Sequence, residues 1–134
     1  VSGCVMLVRR EVFQRVGRLD PSFFFGFEDL DFCLRADAAG LHTVLADAVA
    51  YHEGGGTLPG WSTDRLYYAT RNHLRLASRV GPSRAGPRLV RYASVLALNV
   101  AHACRTRPPR LISRLTAVAH GAVDALRNRP GPRR

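Results

Sequence analysis

Phe23-Phe24-Phe25-Gly26-Phe27 runs straight into Glu28-Asp29-Leu30-Asp31. A segment built only for stability does not usually carry three acids at the edge of four aromatic rings. Acids beside so much apolar surface are partly desolvated, and desolvation raises the proton affinity of a carboxylate toward that of a general base. A second reading fits the residues equally well. Acids favour the positive end of a helix dipole, and Asp31 and Arg35 are spaced i, i+4 for an ion pair. The residues alone leave both readings open.

The remainder of the chain is strongly basic. It has 134 residues, 20 of them basic and 10 acidic, for a formal net charge of +10. Every basic residue is Arg, and from Arg65 onward only Asp124 opposes them. Nucleic-acid binders usually mix Lys with Arg, so a compositional bias toward Arg is the simpler explanation. Such a field still attracts nucleotide diphosphates, lipid phosphates and anionic membrane. A hydrophobic content of 46% reads as globular, and the length suits one domain or a small domain with an appendage. Cys4, Cys33 and Cys104 are scattered outside any metal-ligand spacing and read as buried small hydrophobes in a reducing compartment. The longest apolar stretch, Tyr92 to Cys104, is shorter than the roughly 20 residues a membrane span needs.

Along the chain, Cys4 to Val8 reads as a buried strand and Arg9 to Val16 as a helix stopped by Gly17. A helix is expected from about Glu28 to Ala39, with Leu30, Leu34 and Ala38 on one face. His42 to Leu45 and Ala48 to Tyr51 read as short strands, followed by the flexible run Gly54-Gly55-Gly56. Past Pro59-Gly60, helices are expected at about 62–80, 87–104 and 110–127, divided by Gly and Pro pairs. The last residues, Pro130 to Arg134, read as a basic tail without a folding signal. Strands followed by helices suit an α/β domain, whose ligands bind at the strand ends. Residues 1–60 are read as the sheet-forming part and 61–134 as a helical extension with a basic tail.

One series of residues resembles a known family. Ser2-Gly3 before an apolar run, Arg9 to Phe13 with Val16-Gly17, Leu19-Asp20 with Phe23-Phe24, then Glu28-Asp29-x-Asp31-x-x-x-Arg35, Gly40, His52 before glycines, and Tyr67-Tyr68-x-x-Arg71-Asn72 resemble the C-terminal half of a family 2 glycosyltransferase. The subgroup is of the rhamnosyltransferase and galactofuranosyltransferase type, and the likeness covers about residues 1–80. It implies the acceptor-side half of a GT-A sheet domain and an inverting sugar transfer from a nucleotide-sugar donor to a glycan or lipid-linked acceptor in bacterial cell-surface polysaccharide synthesis. It implies Asp29 as catalytic base, with Glu28 positioning the acceptor or the base. It implies His52 as a ligand of a divalent metal, Mn²⁺ or Mg²⁺. The Asp-x-Asp that would complete the metal site is expected ahead of Val1, in a donor-binding half outside this sequence. The chain is therefore expected to be the C-terminal piece of a longer enzyme, inactive by itself.

The remaining candidates are weaker. Gly54 and Gly55 could admit a diphosphate or sugar to the backbone, against an ordinary turn. Trp61 could stack on a sugar ring, against a place in the core. Arg71 and Asn72 could contact diphosphate or acceptor, against a helix packed beneath the site. Arg71, Arg75 and Arg79, spaced i, i+4, read as a solvated face or as one that meets anionic lipid. Asp31 with Arg35 is read as a structural ion pair. The expected location is cytoplasmic, with peripheral contact at the inner face of the plasma membrane through the helical tail. The competing functions are a non-catalytic basic module for anionic membrane or nucleic acid, and an inactive truncated piece. Specific nucleic-acid recognition is not expected, because the arginines lack aromatic interleaving or a DNA-binding motif.

Overall fold

Helix α3 (Thr63–Arg79) is the element against which most of the chain packs. Ser62 caps it, its Oγ accepting the amide of Arg65 at 3.1 Å, with Asp64 in the first turn and Arg79 in the last. The computed structural model describes residues 5–52, 58–59, 62–81, 84–105 and 111–133. Before α3 come α1 (Arg10–Val16), a 3-10 turn at Pro21–Phe23 and α2 (Glu28–Ala38); after it come α4 (Ala85–Arg105) and α5 (Leu111–Leu126).

α3, α4 and α5 pack around Leu66, Tyr67, Tyr68, Ala103, Ala117 and Val118, with Phe25, Val100 and Leu115 at the margin. Small residues set the spacing. Ala117 and Gly121 stand one turn apart on α5 and let its backbone press on α3. A Cβ added to Gly121 would lie 2.5 Å from the carbonyl oxygen of Tyr67. Polar ties complete the seams. The Tyr67 hydroxyl donates to Asp124 at 2.8 Å, and buried Arg114 donates from Nη2 to the His102 carbonyl at 3.0 Å.

α1 lies on α2 through the Phe13 and Phe32 rings, whose centroids are 5.3 Å apart. Arg35 ties the pair. Its guanidinium donates to the carbonyls of Val16 and Arg18, and Arg15 reaches back to the Ala39 carbonyl at 2.7 Å.

The expected α/β sheet domain is overturned. Among the described residues there is no strand, and all regular structure is helical. The five helical segments read from the sequence are present within a few residues of their expected ends. The strands at 5–8, 42–45 and 48–51 are not. Those stretches run without regular structure on the surface, leaving Leu7, Val44, Leu45, Val49 and Tyr51 in solvent, Tyr51 at 99% exposure. A strand exists only with a hydrogen-bonded neighbour, and a short apolar run cannot supply one.

The tail also differs from expectation, because residues 128–133 fold back onto α3. The Gly131 amide donates to the Ser22 carbonyl at 3.2 Å and the Arg133 amide to the Tyr68 hydroxyl at 2.7 Å. Arg133 adds an ion pair to Asp64 at 2.8 Å and lies over the Tyr67 ring. No helix among the described residues is long and apolar enough to cross a membrane.

Two glycine substitutions separate close packing from helix propensity. Gly121→Ala is expected to destabilise the protein by about 1–3 kcal/mol, since backbone must move to admit the methyl. Gly86→Ala, whose Cβ meets nothing within 4 Å, is expected to be neutral or to stabilise by up to about 1 kcal/mol. Urea midpoints at constant slope check both.

Candidate active site around Glu28 and Asp29

The loop that leads into Glu28 turns its carbonyl groups inward, and α3 supplies the donors that meet them. Asn72 Nδ2 lies 2.9, 2.8 and 3.0 Å from the carbonyls of Phe23, Phe25 and Gly26. Arg71 Nη2 donates to Phe23 at 2.6 Å, Arg71 Nη1 to Gly131 at 2.5 Å, and Arg75 Nη1 to Ser22 at 2.8 Å. Arg71 and Asn72 are both 0% exposed. Of the expected solvated arginine face, Arg71 and Arg75 are turned into the protein, while Arg79 stays exposed at its edge. Arg71, Asn72, Arg75 and Arg79 sit at i, i+1, i+4 and i+8, on the flank of α3 that covers the loop.

The clamp holds an unusual backbone. Phe24 and Phe27 adopt positive φ, 62° and 73°, where bulky residues are rare. Such strain costs of order 1–3 kcal/mol at each residue and persists only where the surroundings over-determine it. Gly26, at φ 73°, occupies the same region without a Cβ to oppose it. The rings are held too. Phe23 is fully buried under Arg79, Phe24 and Phe25 pack on Tyr68, and Phe27 stacks on His73 at 5.3 Å.

Glu28 and Asp29 emerge from this loop as the first residues of α2, each half-buried and next to the positive end of the helix. Asp29 Oδ1 accepts the Leu30 amide at 2.8 Å. Glu28 keeps a buried oxygen, Oε2, that meets no donor among the described residues. Asp31, two residues on, is buried and committed. It accepts Arg35 Nε at 2.9 Å and Arg79 Nη1 at 2.7 Å. Arg79 also reaches Asp20 at 2.5 Å, so one guanidinium joins α3 to both ends of the loop.

Two groups beside the loop have shifted proton affinities. Burial alone would raise the Asp20 carboxyl, but hydrogen bonds from Arg79 and the Ser22 amide outweigh it and bring the pKa down to about 2. Burial lowers that of His73. His73, half-buried against the Phe27 ring, is not among the candidates the sequence suggests. Its place directly after Arg71-Asn72 was the available signal.

The remaining candidates are not gathered here. His52 is exposed in the irregular stretch that follows α2. Among the described residues no group of three or more His, Cys, Asp or Glu side chains could hold a metal ion, so His52 has no companion ligands there. Gly54, Gly55 and Trp61 lie outside the described residues. His42 is exposed 3.7 Å from Asp37, and His102 and His120 are exposed on α4 and α5. Contrary to expectation Cys104 is exposed, while Cys33 is half-buried; both are free thiols.

No protein-family model, curated protein or solved structure matches the chain.

The depressed Asp20 pKa makes a prediction with a defined sign. A carboxylate whose folded pKa lies below its unfolded value stabilises the fold above the unfolded value and stops doing so as pH falls through the folded one. The contribution of Asp20 is thus expected to be present above about pH 4 and lost toward pH 2. Thermal melts between pH 5 and pH 2 should fall more steeply for the wild type than for Asp20→Asn. Parallel curves would mean that Asp20 is not held by Arg79.

Proposed function

We propose that this chain supplies the acceptor side of an inverting sugar transfer from a nucleotide-sugar to a glycan or lipid-linked acceptor. The observation that carries the reading is the setting of Glu28 and Asp29. Two adjacent half-buried carboxylates open a helix at the end of a strained loop that buried Arg71 and Asn72 hold in place. Strain of this kind gathers at functional sites, where a rigid frame fixes a reacting group.

In this reading the Asp29 carboxylate takes the proton of an acceptor hydroxyl. The oxygen attacks the anomeric carbon opposite the departing diphosphate, the bond to the diphosphate oxygen breaks, and configuration inverts. Glu28, with one oxygen unsatisfied, accepts a second acceptor hydroxyl and orients the first. Arg71 and Asn72 do not touch substrate here. Their donors are engaged by loop and tail carbonyls, so they act as positioning residues. No residue is assigned to the donor in this reading, and no step is assigned to a metal or to His52. The competing reading as a nucleic-acid module draws less support, because Arg71, Arg75 and Arg114 are buried.

The test is Asp29→Asn in the full-length protein. Loss of a general base is expected to lower kcat by about 10²–10⁴-fold while nucleotide-sugar affinity stays near wild type. Unchanged turnover would remove Asp29 from the chemistry.

A further inference from the structure

The outward faces of α4 and α5 are apolar where a protein surface is ordinarily polar. Val90 and Leu98 on α4 are 66% and 64% exposed, and Ile112 and Leu126 on α5 are 78% and 79% exposed. Ile112, Ala119, Val123 and Leu126 fall on one stripe of α5, turned away from the Ala117 and Gly121 seam with α3. On α4, Ala93, Ala97 and Ala101 extend the exposed apolar surface between Val90 and Cys104. Apolar surface left on two neighbouring helices marks a docking surface.

The charges at its borders say what kind of partner it fits. Arg84 and Arg88 stand at the start of α4, Arg105 at its end, and Arg127 just beyond α5; all four are exposed. None of them meets a carboxylate among the described residues. No acid occurs between Asp64 and Asp124, and Asp124 is engaged by Tyr67 and Arg129. A second copy of the chain would set these arginines against their own kind. An anionic lipid surface takes both features at once, because apolar side chains enter the acyl boundary while arginines reach the phosphates.

We propose that the α4–α5 face binds flat on an anionic lipid surface without crossing it. The face is separate from Glu28 and Asp29, so the inference stands apart from the sugar-transfer reading. Co-sedimentation of the full chain with phosphatidylglycerol-containing vesicles tests it, with pure phosphatidylcholine vesicles as the comparison. The wild type is expected to bind the anionic vesicles, less strongly as salt rises. Val90→Asp and Ile112→Asp, both at exposed sites, are each expected to weaken partitioning by about tenfold or more with unchanged helical circular dichroism. Asp29→Asn is expected to bind as the wild type does. Three results would overturn the proposal. They are failure of the wild type to bind anionic vesicles, equal binding to both vesicle types, and equal binding by the aspartate variants. A doubled mass in light scattering that Ile112→Asp abolishes, without vesicle binding, would assign the face to a second copy instead.

Discussion

The fold depends on the carbonyl groups of residues 22–26 finding donors. A buried carbonyl without a partner costs about 1–3 kcal/mol, and this loop turns several inward over a short span. Asn72 and Arg71 meet them from a single turn of α3, and Arg75 meets Ser22 from the next. Two consecutive side chains therefore set the path of the loop. Once that path is set, Phe23 is buried, Phe24 and Phe27 are held at positive φ, and Glu28 and Asp29 open α2 at a fixed place.

The same face of α3 resolves a charge problem. Buried guanidinium groups are tolerated only when hydrogen-bonded and paired. Buried Arg71 is satisfied by carbonyls and by two tyrosine rings, and the more exposed Arg79 pairs with Asp20 and buried Asp31. Asp31 in turn serves Arg35, which holds α1 to α2. One chain of polar contacts thus runs from α3 through the loop to the N-terminal helices. Elsewhere along α3 the packing is conventional, with Leu66 and Tyr67 against the small residues of α5.

Much of this organisation was legible in the sequence. Periodicity and Gly-Pro punctuation located the five α-helices of the described residues, because those signals are local. The i, i+4 spacing of Asp31 and Arg35 gave a contact that forms. What failed was non-local. The runs at 5–8 and 42–51 have strand-like composition, yet pairing depends on a neighbour that spacing cannot reveal, and they remain irregular. The Arg71-Arg75-Arg79 stripe looked solvated because charge ordinarily faces water. Arg79 is indeed exposed, but Arg71 and Arg75 are buried against carbonyl groups about fifty residues away in the chain. The folded-back tail has the same origin, since Gly131 and Arg133 act through backbone groups that composition does not display.

The candidate site follows the same division. The acids beside the phenylalanines stand out in the sequence, whereas Arg71 and Asn72 read there either as substrate contacts or as a helix packed beneath the site, and their hydrogen bonds to the loop favour the second. The central claim is that Asn72 and Arg71 fix the loop bearing Glu28 and Asp29. Amide hydrogen exchange of the wild type and Asn72→Ala tests it most directly. The account predicts faster exchange confined to residues 22–31, with α4 and α5 still protected. Unchanged protection of the loop in Asn72→Ala would contradict it.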